Sequence, residues 1–585
     1  MNNSQQRRLW IVVTGLIFAI SIIIIRLFIF QIVQGPKWAS RLVDEEIVVA
    51  RPERGIILDR NEAVLAANTA EYRIGVSPRL VENPKELATV LTSILQQPRY
   101  EILQKLESPN SYETLAASVP IETANLIWAL EEESLQVDVL PRRFYPQGEL
   151  MCHTLGYVDF DGQGGAGLEA YYQSELAGEA ASARVKISPL EFQESVIARE
   201  GADLVLTIDR SVQYLVEQHL ARALQEHGAE SGEIIVLDPR TGAILAMAAL
   251  PCYNPERYYE YAPTEEELEA AEASGIEIKN VLQNPLVTNQ YEPGSVMKLI
   301  TMAAALDSGT VTPQTTYYDG GVLEVGGHRT VNWDRSAPGT VDMTTLLARS
   351  LNVGAATLAT WMGPDTFYDY MRRFGFGRTT GIDVMAEWPG DMPLPGSPNW
   401  TESFLATNSY GQSLAVTPLQ MVTAVSAIAN HGELMQPYVV QEMRGHGQTI
   451  IHEPVSLGQV ISPQVADQVT AMAITAVASE VGAAQVPGYT VAGKTGTAQI
   501  PDWRNGGYHP TDVIGSFIGW LPADDPEIII LVKLDRPQSA PWGSQTAAPV
   551  FSELAQDLVV MLNIPPDNYR LQAEITAARL ANGSP

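Results

Sequence analysis

The chain has 585 residues, enough for two or three domains each with its own core. Its net charge of −31 excludes nucleic acid as a partner, because a phosphate backbone is bound by clustered Lys and Arg, and no basic stripe occurs downstream of the N-terminus. Eight scattered histidines form neither an HExxH nor a Cys/His cluster, so no metal or other cofactor is expected.

Residues 9–25 (LWIVVTGLIFAISIIII) are an uncharged apolar run that continues past Arg26 as LFIFQIV. The run is too long for a signal peptide and lacks a small-residue cleavage site, so residues 9–33 are expected to be an uncleaved transmembrane anchor. Arg7 and Arg8 precede it, which by the positive-inside rule leaves tail 1–8 cytoplasmic and everything after the anchor outside. Gly15, Ala19, Ile22 and Arg26 form one helical stripe, a candidate packing face for another membrane helix.

Residues 44–68 alternate apolar and polar and predict strands joined by a turn. Residues 83–136 alternate helical periodicity with short loops, and LEAYYQSELAG predicts a helix ending at Gly178. DFDGQGG (159–165) lacks the ligand run of a calcium loop and is read as a Gly-rich turn. Cys152 and Cys252 make no framework; each is read as a buried small hydrophobe, with a bridge requiring an oxidising compartment. EIIVLDPRTGAILAMAAL (233–250) predicts a hairpin around DPRTG, and TEEELEAAEAS (264–274) a short solvated helix capped by Thr264. GSFIGWLP and EIIILVKLD predict the last strands, followed by a tail.

The stretch YEPGSVMKLI (291–300) is chemically odd. Pro293 and Gly294 break the chain, Ser295 is placed to cap, and the apolar helix that follows carries Lys298 in its first turn. The helix dipole and burial both oppose a cation there. A neutral amine three residues from a hydroxyl shares its helix face and can take its proton, so Ser295 and Lys298 are a candidate nucleophile and base. LLARSLNVGAA adds Ser350 and Asn352 after a helical apolar pattern, unlike the two Ser-Pro-Asn turns elsewhere. VAGKTGTAQI (491–500) predicts a strand with Lys494 and Gly496 on one face and Thr495 and Thr497 on the other, the glycine admitting a ligand to the backbone. Residues 231–585 contain only four lysines, and Lys298 and Lys494 both fall inside these motifs.

S-x-x-K, S-x-N and K-T-G in this order resemble the signature of penicillin-binding proteins. RGIILDR (54–60), RFYP (143–146), GAGLEAYYQSELAG (165–178), LTIDRSVQ (206–213), GAILAMAALPCYNP (242–255), FGFGRTTGIDV (374–384), YGQSLAVTPLQM (410–421) and TAAPVF (546–551) extend the likeness. Together they resemble the class B penicillin-binding proteins, nearest the division-type peptidoglycan D,D-transpeptidases. The resemblance implies an α+β protein: the anchor, a β-rich pedestal over 45–230, a transpeptidase domain over 231–565 with an antiparallel sheet between helical layers, and a tail over 566–585. It also implies the roles. Ser295 attacks the D-Ala carbonyl of a stem pentapeptide, Lys298 is the base and Ser350 relays the proton. Asn352 holds the substrate amide, and Lys494 sets the local field. Thr495 and Thr497 meet the substrate carboxylate beside Gly496, with the N–H groups of Ser295 and Thr497 as oxyanion hole.

The implied partners are peptidoglycan stem peptides, β-lactams, a polytopic glycan polymerase and division-complex membrane proteins, at the outer face of the plasma membrane. Glu62 and Ser413 stand where the family pattern has glycine. The competing readings are an elongation-type enzyme, a β-lactamase or β-lactam sensor, and a non-catalytic division scaffold. No E-x-x-L-N serves deacylation, a hydrolase has no use for the large domain before residue 230, and the intact motifs argue against a scaffold.

Overall fold

The computed structural model describes residues 3–33, 45–50, 52–186, 198–264, 266–267, 280–502 and 507–572. The chain divides into two compact units, Met1–Arg54 with Ala177–Gly201, and Gly55–Leu176 with Ala202–Pro585. In the first unit the helix Asn3–Phe28 runs on through the π-helical turn Ile29–Val33. Its segment Trp10–Val33 has 24 residues of mean hydropathy 2.7. At about 1.5 Å of rise per residue it spans the roughly 30 Å of a bilayer core, as a single-pass anchor requires. The same unit pairs the strands Glu45–Ala50 and Ala181–Lys186 antiparallel.

In the second unit a seven-stranded sheet draws on sequence from both sides of residue 230. Its order is Gln448–Ile451, Val440–Gly445, Asp203–Leu206, Ile57–Leu58, Val64–Val76 and Glu113–Val119, with Leu135–Phe144 also pairing Val64–Val76. The turn entering Val64–Val76 is tied by Asp59, whose carboxylate accepts the N–H groups of Asn61 and Ala63 at 2.8 Å. Glu62 sits there at φ 66°, the left-handed conformation that glycine serves most cheaply. Glu113–Val119 corrects the reading of 83–136 as helices and loops alone. Pairing with Val64–Val76 buries Leu115 and Ala116, and that tertiary gain overrides the weak local pattern.

The cysteines are a second correction, since Cys152 and Cys252 are joined in a disulfide with their Cα atoms 6.2 Å apart. Their separation of 100 positions hid the approach, which is made by Tyr253 donating to the Cys152 carbonyl at 3.1 Å. DFDGQGG is the turn expected, with Asp159 accepting from the N–H groups of Asp161 and Gln163. Thr264 and Glu267 exchange the hydrogen bonds of a capping box, while most of the helix read over 264–274 lies outside the described residues. At the C-terminus residues 566–572 dock on the body: Thr490 donates to Asp567 at 2.7 Å, and Arg570 pairs with Asp524. Residues 573–585 lie outside the described set.

A five-stranded antiparallel sheet carries the chemistry. Its order is Ala492–Pro501, Tyr508–Leu521, Ile528–Asp535, Ser231–Leu237 and Ile244–Leu250, the last two forming the hairpin read from the sequence. Both faces are buried, which is why its strands read as near-continuous apolar runs. Ile234 and Val236 face a core shared with the helices Arg210–His227 and Ala547–Met561. Ile235 and Leu237 face the opposite core, built on Met297–Asp307, Pro418–Ala429 and Pro463–Glu480. Helical layers thus cover both sides of the sheet.

Candidate active site

The site forms where the first turn of Met297–Asp307 meets the edge strand Ala492–Pro501. Gly294, at φ 54°, makes the approach possible: a Cβ there would stand 2.8 Å from the Thr497 carbonyl oxygen. Ser295 lies in a short 3-10 turn, Gly294–Val296, that leads into the helix. It does not cap, contrary to the sequence reading: Val296 holds the N-cap position of the helix, and the Ser295 hydroxyl meets Lys298 instead.

Lys298 is buried, with its Nζ 3.0 Å from Ser295 Oγ, 2.6 Å from the Ser350 carbonyl, 3.1 Å from Ser350 Oγ and 2.6 Å from Asn352 Oδ1. Ser350 links the helices Met343–Ala348 and Asn352–Met362 at φ 57°. That left-handed turn aims both its carbonyl and its hydroxyl at the lysine. Asn352 is fixed by donating Nδ2 to the Val331 carbonyl, and the adjacent Val353 N–H is held by Asn332 Oδ1. Burial, and then the charge of Lys494, hold Lys298 well below the ordinary lysine range.

Lys494 is buried too, and burial lowers it to about 8 against the opposing pull of Glu480. Among the described residues its Nζ makes only long bonds, 3.3 Å to the Thr495 carbonyl and 3.4 Å to Thr495 Oγ1. Lys533 shows the contrast. Burial alone would lower it, but Asp535 at 2.7 Å and Glu233 at 2.8 Å outweigh burial and keep it charged. Lys298 and Lys494 have no such carboxylate partner among the described residues, so only these two are pushed toward the neutral amine.

The alternation of the strand is as read, with Lys494 and Gly496 buried and Thr495 and Thr497 half-buried. The glycine's reason differs. A Cβ on Gly496 would meet Ser516 Oγ at 2.3 Å and the Pro293 carbonyl at 2.9 Å, so it admits the approach of the protein's own turn at Pro293 and Gly294. Thr497 Oγ1 accepts the Gly543 N–H at 3.1 Å, which leaves its own proton free to donate.

These residues open on a cleft of about 370 Å³ lined by Ser295, Ser350, Asn352, Lys494, Thr495 and Thr497. Sequence reasoning missed much of its wall: Trp333, Arg349, Tyr410, Gln412, Glu480 and Trp542. Trp333 and Trp542 meet edge-on, 5.4 Å apart, although 209 positions separate them in the chain. Tyr410 and Gln412 belong to YGQS, a block whose residue types alone point to no chemical role. Ser413, in the same block, keeps the left-handed turn at φ 59° without glycine.

The family model for the penicillin binding protein transpeptidase domain matches residues 232–556, and that for the penicillin-binding protein dimerisation domain matches 49–206. The chain belongs to the penicillin-binding proteins. It is 33% identical to stage V sporulation protein D of Bacillus subtilis, over 97% of this chain and 88% of that one. It is 31% identical to the probable peptidoglycan D,D-transpeptidase PbpC of Pseudomonas aeruginosa, over 88% of each. The crystal structure of penicillin binding protein 3 of Mycobacterium tuberculosis complexed with aztreonam matches with a TM-score of 0.67 at 28% identity, covering 89% of this chain and 98% of that one. The α+β fold and the penicillin-binding protein family expected from the motifs are therefore those found.

Proposed function

We propose that this penicillin-binding protein is a peptidoglycan D,D-transpeptidase that works through an acyl-enzyme on Ser295. One observation carries the assignment: Ser295 Oγ lies 3.0 Å from a buried amine whose two shortest bonds, at 2.6 Å, go to the Ser350 carbonyl and Asn352 Oδ1. Both of those oxygens only accept. A neutral amine has two N–H donors and one lone pair, so satisfying them leaves the lone pair for the serine hydroxyl.

Lys298 takes the Ser295 proton as Oγ attacks the penultimate D-Ala carbonyl. The N–H groups of Ser295 and Thr497 hold the oxyanion, and Thr495 and Thr497 donate to the terminal carboxylate in the field of Lys494. The C–N bond then breaks, the proton passes through Ser350 to the departing D-Ala amine, and an ester remains on Ser295. An amine of a second stem attacks the ester, forming the cross-link and returning the proton to the serine. Asn352 fixes the donor amide throughout.

The anchor places residues 45–230, the pedestal, and 231–565, the catalytic domain, outside the plasma membrane, with septal synthesis as the process served. The stripe of Gly15, Ala19, Ile22 and Arg26 is the face offered to a polytopic glycan polymerase. Leucine at positions 15 and 19 then reduces co-purification of that polymerase and leaves penicillin labelling intact; equal recovery rejects the stripe.

A fluorescent penicillin tests the central assignment. Peptide mapping finds the label on Ser295, and Ser295→Ala abolishes it. A label elsewhere, or cross-linking of stem pentapeptides that survives Ser295→Ala, overturns the mechanism.

A further inference from the structure

Glu292, three residues before the nucleophile, has no part in the chemistry above, yet its carboxylate is buried and fully engaged. Oε1 accepts the Ser413 N–H at 2.9 Å, and Tyr508 donates to Oε1 and Oε2, both at 3.1 Å. All of these donors are neutral. Burial, against those bonds, raises the carboxyl to about 7, so the site keeps an acid where desolvation opposes its charge.

The bonds join three segments. Ser413 follows Gly411, whose carbonyl accepts the Gly294 N–H at 3.0 Å and whose own Cβ, if present, would strike Gly294. A backbone bridge between Tyr291 and Val416, 3.0 Å in both directions, extends the same seam. Tyr508 begins the strand Tyr508–Leu521 and pairs with Pro501 at the far end of the strand that carries Lys494 and Thr497. The nucleophile turn, the 410–413 wall and the strand Tyr508–Leu521 thus converge on one carboxylate.

We propose that Glu292 is a positioning residue for acyl transfer: its carboxylate pins the 411–413 loop and the Tyr508 strand to the nucleophile turn, fixing the wall that Tyr410 and Gln412 present to the substrate. Misplacement of a reacting group by about 1 Å costs up to about a hundredfold in rate, which is the scale such a pin protects. The proposal rests on the acyl-transfer reading.

Acylation by penicillin in the full-length chain in detergent, followed at varied penicillin concentration, separates initial binding from the acylation step. Glu292→Gln keeps the size and removes the carboxylate, and it is compared with wild type at about pH 8, where an acid raised to about 7 is mostly ionised. The acylation rate constant falls about tenfold, while initial binding stays within about twofold and the melting temperature is unchanged, a split that a loss of packing does not produce. Tyr508→Phe, which breaks one arm of the same pin, slows acylation about threefold, and the double variant is no slower than Glu292→Gln alone. If Glu292→Gln fails to fold, Tyr508→Phe carries the test with the same split. An unchanged acylation constant, or losses that multiply in the double variant, overturns the proposal. A wild-type chain that penicillin does not acylate removes the acyl-transfer reading instead, and the proposal with it.

Discussion

Lys494→Met should stabilise the protein at neutral pH while slowing its chemistry. Burial takes this lysine from 10.5 to about 8. At about 1.4 kcal/mol per pH unit, the charged form costs the folded chain about 3 kcal/mol at pH 7 relative to the unfolded chain. The sign follows from proton counting. Between pH 8 and 10.5 the unfolded chain binds more protons than the folded one, so stability rises with pH through that window. The cost is full below about 8 and gone above about 10.5. Methionine has similar length and no charge, and among the described residues the variant loses the two long bonds to Thr495, worth about 1 kcal/mol together. The net gain at pH 7 is about 2 kcal/mol, or roughly 3 °C in melting temperature for a domain of this size, and it shrinks toward pH 10. Removing the Lys494 charge also lets Lys298 rise, so the acidic limb of the acylation rate against pH moves to higher pH. Melting curves at pH 7 and near pH 10, with penicillin acylation measured across the range, check both effects. A variant less stable than wild type at pH 7, or a melting difference that does not change with pH, refutes the argument.

Lys298→Ala should slow acylation by about 10² to 10⁴ with initial penicillin binding little changed, because a base acts in the transition state; stopped-flow labelling measures both. Ser413→Gly, at φ 59°, should raise stability by about 1 kcal/mol by relieving a left-handed non-glycine residue, read as a higher denaturation midpoint. Cys252→Ser should lower the stability of the oxidised protein by about 2 to 4 kcal/mol, since the bridge closes a loop of 100 residues, and reductant should reproduce the loss in wild type. A fragment starting near residue 40 should be soluble and still acylate; one that folds without acylating would make the anchor part of the active conformation.

The sequence alone determined the elements whose cause is local. An apolar run of bilayer length can only be buried or inserted, so the segment Trp10–Val33 announces itself. A lysine in the first turn of an apolar helix conflicts with burial and dipole together, so Lys298 is conspicuous without knowledge of its partners. Period-two alternation likewise sorted Lys494 from Thr495. What those residues meet was decided by tertiary structure. Ser350 follows Lys298 by 52 positions, and only its left-handed turn brings carbonyl and hydroxyl onto the amine. Trp333 and Trp542, Cys152 and Cys252, and Glu292 with Tyr508 are distant pairs whose approach no period encodes. The Glu113–Val119 strand exists because Val64–Val76 offers it an edge. A glycine at 496 in a strand suggests room for a ligand, but the space is taken by Pro293 and Ser516 of the protein itself. Short-range sterics and periodicity are written in neighbouring residues; the pairing of segments is set by loop closure and core packing, which only the folded chain resolves.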